Sequence, residues 1–119
     1  MSNIKESLNA LMEIDGALGT ALVDYESGMV LGTEGGGVDL ELAGAGNTEV
    51  VKAKMATMDS LGIDGGIEDI LITLEKQLHI IRPTTNPSGL FIYLVLDKAK
   101  ANLALARRKV QGIEASLEI

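Results

Sequence analysis

The sequence predicts an α+β fold: one antiparallel sheet with helices on both of its faces. Three observations point there. Strand-like segments come in two groups, and within each group the links are too short to join anything but antiparallel neighbours. Apolar residues recur at helical spacing near both ends of the chain and across its middle. Residues 90–96 are apolar at every position, the pattern of a strand covered on both faces, which belongs in the middle of a sheet. The expected order is helix, two strands, long helix, three strands, helix, within 119 residues and 12.5 kDa. That length has room for one domain, 1–119, standing on an ordinary hydrophobic core.

Taken in order, Ile4, Leu8, Leu11 and Met12 recur at helical steps, Ser2 is available as a cap and Asp15-Gly16 closes the helix. Residues 17–24 read as a strand, Tyr25-Glu26-Ser27-Gly28 as a turn, and residues 29–31 as the returning strand of a hairpin. Gly35-Gly36-Gly37 breaks the chain before a long helix over 39–60, with Asp39 as N-cap and Leu61-Gly62 as the stop. At 100° per residue, Ala43, Gly46, Val50, Ala53, Thr57 and Leu61 form one stripe on that helix. Leu40, Gly44, Val51, Met55 and Met58 form a second, about a quarter-turn away. The two together are wider than the ~100° that one packing face needs, so the helix is expected to touch two things.

Three strands follow. Residues 67–74 put Ile70, Ile72 and Leu74 on one face, and Glu75-Lys76 make a tight turn into a strand over 78–82 that Pro83 ends. Residues 84–89 are turn formers, and 90–96 is the doubly covered strand. A last helix is expected from about Asp97 to the C-terminus, with Leu103, Ala106, Val110, Ile113 and Leu117 in a single stripe.

Composition removes several classes of function. The formal charge is −7, which repels phosphate and argues against nucleic acid or anionic lipid as the main partner. The imbalance lies wholly in residues 1–60, where ten acids face three lysines; residues 61–119 carry seven of each sign. There is no cysteine, which removes disulfides, thiolate metal sites and thiol nucleophiles together. The N-terminus lacks the basic start and apolar run of a signal peptide. The longest apolar run falls far short of the ~20 residues a bilayer span needs. A soluble, cytoplasmic protein without membrane insertion is expected.

The chemistry-bearing residues read mostly as structure. Any Ser-His-Asp machinery must use the one histidine, His79, which alternates in a strand among apolar neighbours and has no Gly-x-Ser-x-Gly elbow beside it. It reads as a sheet-face histidine. Asp64, Glu68 and Asp69 miss the spacing of a calcium loop. The triple glycine is flanked by Glu34 and Asp39, which repel an anion, and no Gly-Lys-Ser/Thr follows. No catalytic residue, metal ligand or cofactor is expected. Asn47 and Lys54 stand out because both fall inside the apolar sector of the long helix. Lysine can lay its stem on apolar surface and keep its charge in water; the other reading makes both residues polar contacts in an interface with another chain. The strand over 67–74 follows a helix and can lack a neighbour on one side. Such an edge is either protected, here by Glu68 and Asp69, or used for pairing with its own copy.

In this order the motifs resemble the roadblock / dynein light-chain family in its stand-alone bacterial branch. The likeness rests on Asp15-Gly16-Ala17 running into Thr20-Ala21-Leu22-Val23-Asp24, and on Ser27-Gly28. It continues with Asn47-Thr48-Glu49-Val50-Val51, Glu68-Asp69-Ile70-Leu71-Ile72-Thr73, Leu90-Phe91-Ile92-Tyr93-Leu94-Val95-Leu96-Asp97 and Asn102-Leu103-Ala104-Leu105-Ala106-Arg107. The resemblance implies a profilin-like, three-layer domain: a five-stranded antiparallel sheet with the long helix on one face and both terminal helices on the other. It also implies a non-catalytic homodimer formed through the long helix and the strand after it, joining two sheets into one of ten strands. Bacterial members are associated with small Ras-like GTPases as regulators or platforms, so the expected partners are a second copy and such a GTPase. Without a long basic tail, tethering to membrane or motor is not expected.

On these grounds the expected dimer interface comprises Asn47, Val50, Val51, Lys54, Met58, Glu68, Ile70 and Ile72. The expected partner surface is the acidic side of the long helix, Glu41, Glu49 and Asp59 with Lys52. A small-ligand sensor on a profilin-like sheet and a purely structural dimerisation scaffold are the competing functions. Arg82, Arg107 and Arg108 are the only arginines, and none is assigned as an arginine finger. Arg107 and Arg108 are expected toward the C-terminal half of a regular helix, where positive charge favours the dipole.

Overall fold

The computed structural model describes residues 2–119. Eight elements follow in chain order: α1 (Ile4–Met12), β1 (Ala17–Asp24), β2 (Met29–Gly35), α2 (Leu40–Leu61), β3 (Ile70–Thr73), β4 (Gln77–Thr85), β5 (Ser88–Asp97) and α3 (Leu103–Ala115). The strands form one antiparallel sheet in the order β2-β1-β5-β4-β3. The expected α+β class, the order of elements and the central place of the last strand all hold.

Because side chains alternate across a strand, β5 supplies two cores at once. Ile92, Leu94 and Leu96 join Leu8 and Leu11 of α1 and Ala106 and Val110 of α3 on one side. Phe91, Tyr93 and Val95 join Leu40 and Val51 of α2 on the other. The long helix therefore occupies one face of the sheet and the terminal helices the other. Asp39 caps α2 by accepting the Leu42 N–H at 3.1 Å, and Gly62 ends it at φ 68, a left-handed conformation that costs glycine nothing. Helix and sheet meet closely at Gly44, where a Cβ would lie 2.5 Å from Val30 Cγ2.

Several boundaries differ from expectation, each for a local reason. Asn3, not Ser2, is the N-cap position of α1. Its side chain is engaged elsewhere, donating to the Ser116 carbonyl (2.8 Å) and accepting the Glu118 N–H (2.7 Å), so it ties the two ends of the chain together. The second strand runs on to Gly35 and contains a bulge: Gly32 faces Leu22 and Val30 faces Val23, leaving Leu31 unpaired. The third strand begins at Ile70, not at residue 67. The β3–β4 ladder begins at Ile70, and just before it the Asp69 carboxylate is held by Arg107 of α3 through two bonds of 2.9 Å. Pro83 does not end β4. The ladder with β3 stops at Ile70–Ile81, so from Arg82 onward one flank of β4 is free, and an irregularity follows between Pro83 and Thr85. A proline is tolerated in such a place.

The last helix starts at Leu103 instead of near Asp97. Asp97 organises a separate turn, its side chain accepting the Ala99 N–H and its carbonyl those of Lys100 and Ala101. Asn102 then caps a new start by accepting the Leu105 N–H at 3.1 Å. The cross-layer tie that sequence reading missed is Glu114 of α3, only 3% exposed, which accepts from Arg82 Nε at 3.0 Å and from the Thr85 hydroxyl at 3.3 Å.

Two helical glycines provide a test of this packing. Gly112 of α3 has open space where a Cβ would stand, so Gly112→Ala is expected to stabilise the protein by about 0.5–1 kcal/mol through helix propensity. Gly44→Ala gains the same propensity but pushes into Val30, and is expected to destabilise by about 1 kcal/mol or more. Urea denaturation of both variants checks the opposite signs.

Candidate interaction surface

α2 has two apolar faces, and its own sheet uses one. Leu40, Gly44, Thr48 and Val51 are buried, with Met55 and Met58 half-buried beside them. On the other stripe Gly46, Ala53 and Thr57 are exposed, Val50 is 38% exposed and Leu61 65%. The two stripes deduced from helical angle thus separate into an inner one and a bare one. This corrects one expected interface residue: Val51 is fully buried against the sheet and has no surface to offer another chain. Thr48 lies within the inner stripe although it was not assigned to either. Its hydroxyl donates to the Gly44 carbonyl at 2.8 Å, which lets a polar residue sit in an apolar layer. Its angle between Gly44 and Val51 was the available signal.

Asn47 and Lys54, paired in expectation, have different fates. Lys54 is exposed. Asn47 is half-buried beside Tyr93. Burial raises the Tyr93 pKa above its ordinary value, partly offset by the Asn47 side chain. The Tyr93 hydroxyl lies 3.0 Å from His79 Nδ1, and His79 Nε2 lies 2.8 Å from Gln77 Oε1. The tautomer that satisfies both contacts carries its proton on Nε2, donating to Gln77 Oε1 and accepting the Tyr93 hydroxyl proton at Nδ1. A polar chain of Tyr93, His79 and Gln77 thereby runs from β5 to β4, with Asn47 of α2 beside it. The rings of His79 and Tyr93 meet edge to face, with centroids 5.4 Å apart.

This chain marks where α2 stops covering the sheet. The helix lies over β1 and β2. Toward β4 and β3 the same face is only partly covered, and His79, Ile70 and Ile72 are half-buried there. Beyond them β3 ends the sheet with a flank that has no strand beside it. The bare stripe of α2, the half-covered face over β3 and β4, and the open flank of β3 all belong to one side of the molecule. Met58 lies at the end of this region, lining a small cleft of about 170 Å³ with Met55, Ile63 and Ile67. Glu68 is exposed and precedes the strand.

Among the charged residues of α2, Lys54 follows the bare stripe and Asp59 lines the same cleft as Met58. Glu41, Glu49 and Asp59 are exposed, and Lys52 reaches the Glu26 carbonyl in the β1–β2 turn at 3.4 Å. Arg107 is not a dipole partner near a helix C-terminus: it is the fifth residue of α3 and is bound by Asp69. Among the described residues no group of three or more His, Cys, Asp or Glu is placed to hold a metal, and no helix is long and apolar enough to cross a membrane.

The five-stranded sheet, flanked by one long helix and two terminal ones, defines the Roadblock/LC7 fold. Solved structures of that class superpose on most of the chain. A Roadblock/LC7 domain from Streptomyces avermitilis has a TM-score of 0.80 at 14% identity, over 93% of this chain and 91% of that one. MglB from Myxococcus xanthus has a TM-score of 0.80 at 14% identity, over 95% and 92% of the two chains. The gliding protein MglB of Thermus thermophilus has a TM-score of 0.71 at 18% identity, over 93% and 87%. No protein-family model matches the sequence, and no curated protein does. The likeness is therefore one of fold.

The polar chain has a consequence in solution. Burial pushes the His79 pKa below its ordinary 6.5. The folded protein then binds fewer protons than the unfolded chain, so this contribution to stability is complete above about pH 6.5 and drains as pH falls through the folded pKa. Unfolding free energies measured from pH 7.5 down to 5.5 are expected to fall more steeply for wild type than for His79→Gln.

Proposed function

We propose that the chain is a non-catalytic, cytoplasmic adaptor of a single roadblock-type domain. In this reading it pairs with a second copy and binds a small Ras-like GTPase, modulating the nucleotide state or location of that GTPase. The observation that carries the pairing is the continuity of the bare α2 stripe with the open flank of β3. A second copy related by a twofold axis buries both at once, lets β3 pair with its own copy so that two sheets run on as one, and closes the assembly. Val50, Lys54, Met58, Ile70 and Ile72 form the contact, with Asn47 beneath it and Glu68 at its rim.

The choice of edge has a physical basis. At the opposite edge β2 carries the Leu31 bulge, and Glu34 lies near its end, devices that oppose further pairing. The four residues of β3, Ile-Leu-Ile-Thr, carry neither charge nor bulge.

The GTPase reading rests on the fold class together with the exposed acids of α2, which two paired copies bring to one side. The Ras-like partner binds there through a basic face, and any effect on hydrolysis comes from ordering the GTPase's own switch loops.

Light scattering at micromolar concentration is expected to give about twice the 12.5 kDa of one chain, and a monomer contradicts the pairing. Val50→Glu and Ile70→Asp are each expected to raise the dimer dissociation constant at least about tenfold, because each places an unpaired charge in an apolar contact. Co-purification with a candidate small GTPase, nucleotide-loaded and empty, tests the partner. Binding that weakens with salt and with Glu49→Lys is expected, and no binding in either state refutes the GTPase reading.

A further inference from the structure

The chain holds one histidine, and the fold sets it on the face that α2 leaves half-covered. Side chains alternate along β4, so Leu78 and Ile80 enter the core beneath α1 and α3 while His79 and Ile81 turn the other way. On that face His79 stands directly opposite Ile72 of β3 on one flank and Val95 of β5 on the other. Ile72 belongs to the contact proposed with a second copy. His79 is thus one strand in from the open edge, and it is itself half-buried.

Both ring nitrogens are already engaged, Nε2 at 2.8 Å from Gln77 Oε1 and Nδ1 at 3.0 Å from the Tyr93 hydroxyl. The neutral ring suits both, giving a proton to the amide and taking one from the phenol. A second proton makes both nitrogens donors. The Tyr93 hydroxyl must then accept at Nδ1 and find another acceptor for its own proton, although the residue is buried.

The surroundings give a cation little in return. On β5 the titratable groups of this face are Tyr93, kept as the neutral phenol by burial, and Asp97, whose carboxylate accepts the Ala99 N–H at 3.0 Å. On β3 there is none, since Ile70 and Ile72 are the residues of this face. The turn into β4 carries Glu75 and Lys76, exposed and of opposite sign. From α2 the charged residue on this side is Lys54, a second cation. Among the described residues no carboxylate is paired with His79. A second copy laid along α2 and β3 withdraws water from the half-covered face, and a charged ring there loses hydration without gaining a partner.

We propose that pairing is proton-sensitive: His79 stays neutral in the paired state, and uptake of a proton by the ring separates the copies. The inference rests on the pairing reading and adds a control to it. Burial already lowers the His79 pKa from 6.5 in one chain, and deeper burial acts in the same direction. The paired state therefore binds fewer protons than two separate chains. Pairing has its full strength above about pH 6.5 and weakens as pH falls through the His79 pKa of the separate chain. Each pair carries two such rings, which steepens the response.

Sedimentation at pH 7.5 and 5.5 is expected to show a dimer dissociation constant about tenfold weaker at the lower pH. For His79→Gln, which keeps a neutral amide, the two values are expected to agree within about twofold. Circular dichroism on the same samples is expected to show that the separated chain stays folded. The lone imidazole also gives a single set of ring C–H signals in proton NMR, so its titration is read without any variant. Its pKa is expected to be lower in concentrated, paired protein than in dilute, separate protein. A dissociation constant that does not change with pH, an equal response in His79→Gln, unfolding in place of separation, or a pKa no lower at high concentration overturns the proposal and leaves the pairing standing. A monomer at pH 7.5 overturns both.

Discussion

The structure depends on one constraint: a strand with no charged side chain from Leu90 to Leu96 must be hidden on both faces and both flanks. All seven residues are at most 8% exposed. Hiding the flanks takes β1 on one side and β4 on the other. Hiding the faces takes two separate layers, α1 with α3 and α2 alone. The asymmetry of those layers has functional consequences. Two helices cover one face broadly, whereas a single helix leaves the other incompletely covered where β4 and β3 run out beyond it. Tyr93 links that constraint to the exposed side: it belongs to β5, and its hydroxyl carries the polar chain toward the part-covered region.

A sheet of five strands has two edges, and they have been treated differently. At β2 the bulged Leu31 and nearby Glu34 spoil the template for a sixth strand. At β3 the template is intact, and the apolar stripe of α2 lies on the same side. Charged groups are mixed on both sides: α2 carries Glu41, Glu49 and Asp59 with Lys52 and Lys54, and the three arginines beside α3 meet Glu68, Asp69 and Glu114.

Most of this framework was legible in the sequence, because it is set by local rules. Asp39 and Gly62 bound α2 through capping and a left-handed turn, which neighbouring residues determine. The width of the apolar sector on α2 already called for a second contact. What escaped the sequence depends on residues far apart in the chain. Val51 and Val50 are adjacent, and only the place where α2 sits on the sheet decides which is core. The Glu114–Arg82 bond joins residues 32 positions apart, and the Asp69–Arg107 bond, just before β3, joins residues 38 apart. Asp97 misled because it is a good helix start that is used for a single turn, with Asn102 supplying the real one. Asn47 stands out by its helical angle, and only the fold sets it beside Tyr93.

The central claim is that β3 pairs with its own copy, and backbone amide hydrogen exchange over Ile70–Thr73 as a function of protein concentration addresses it most directly. An edge strand leaves half of its N–H groups to solvent, and pairing protects them. The outward-pointing amides of β3 are predicted to be protected at high concentration and to lose that protection on dilution, while those of β5 stay protected throughout. Outward β3 amides that exchange at the rate of a free edge at every concentration contradict the pairing.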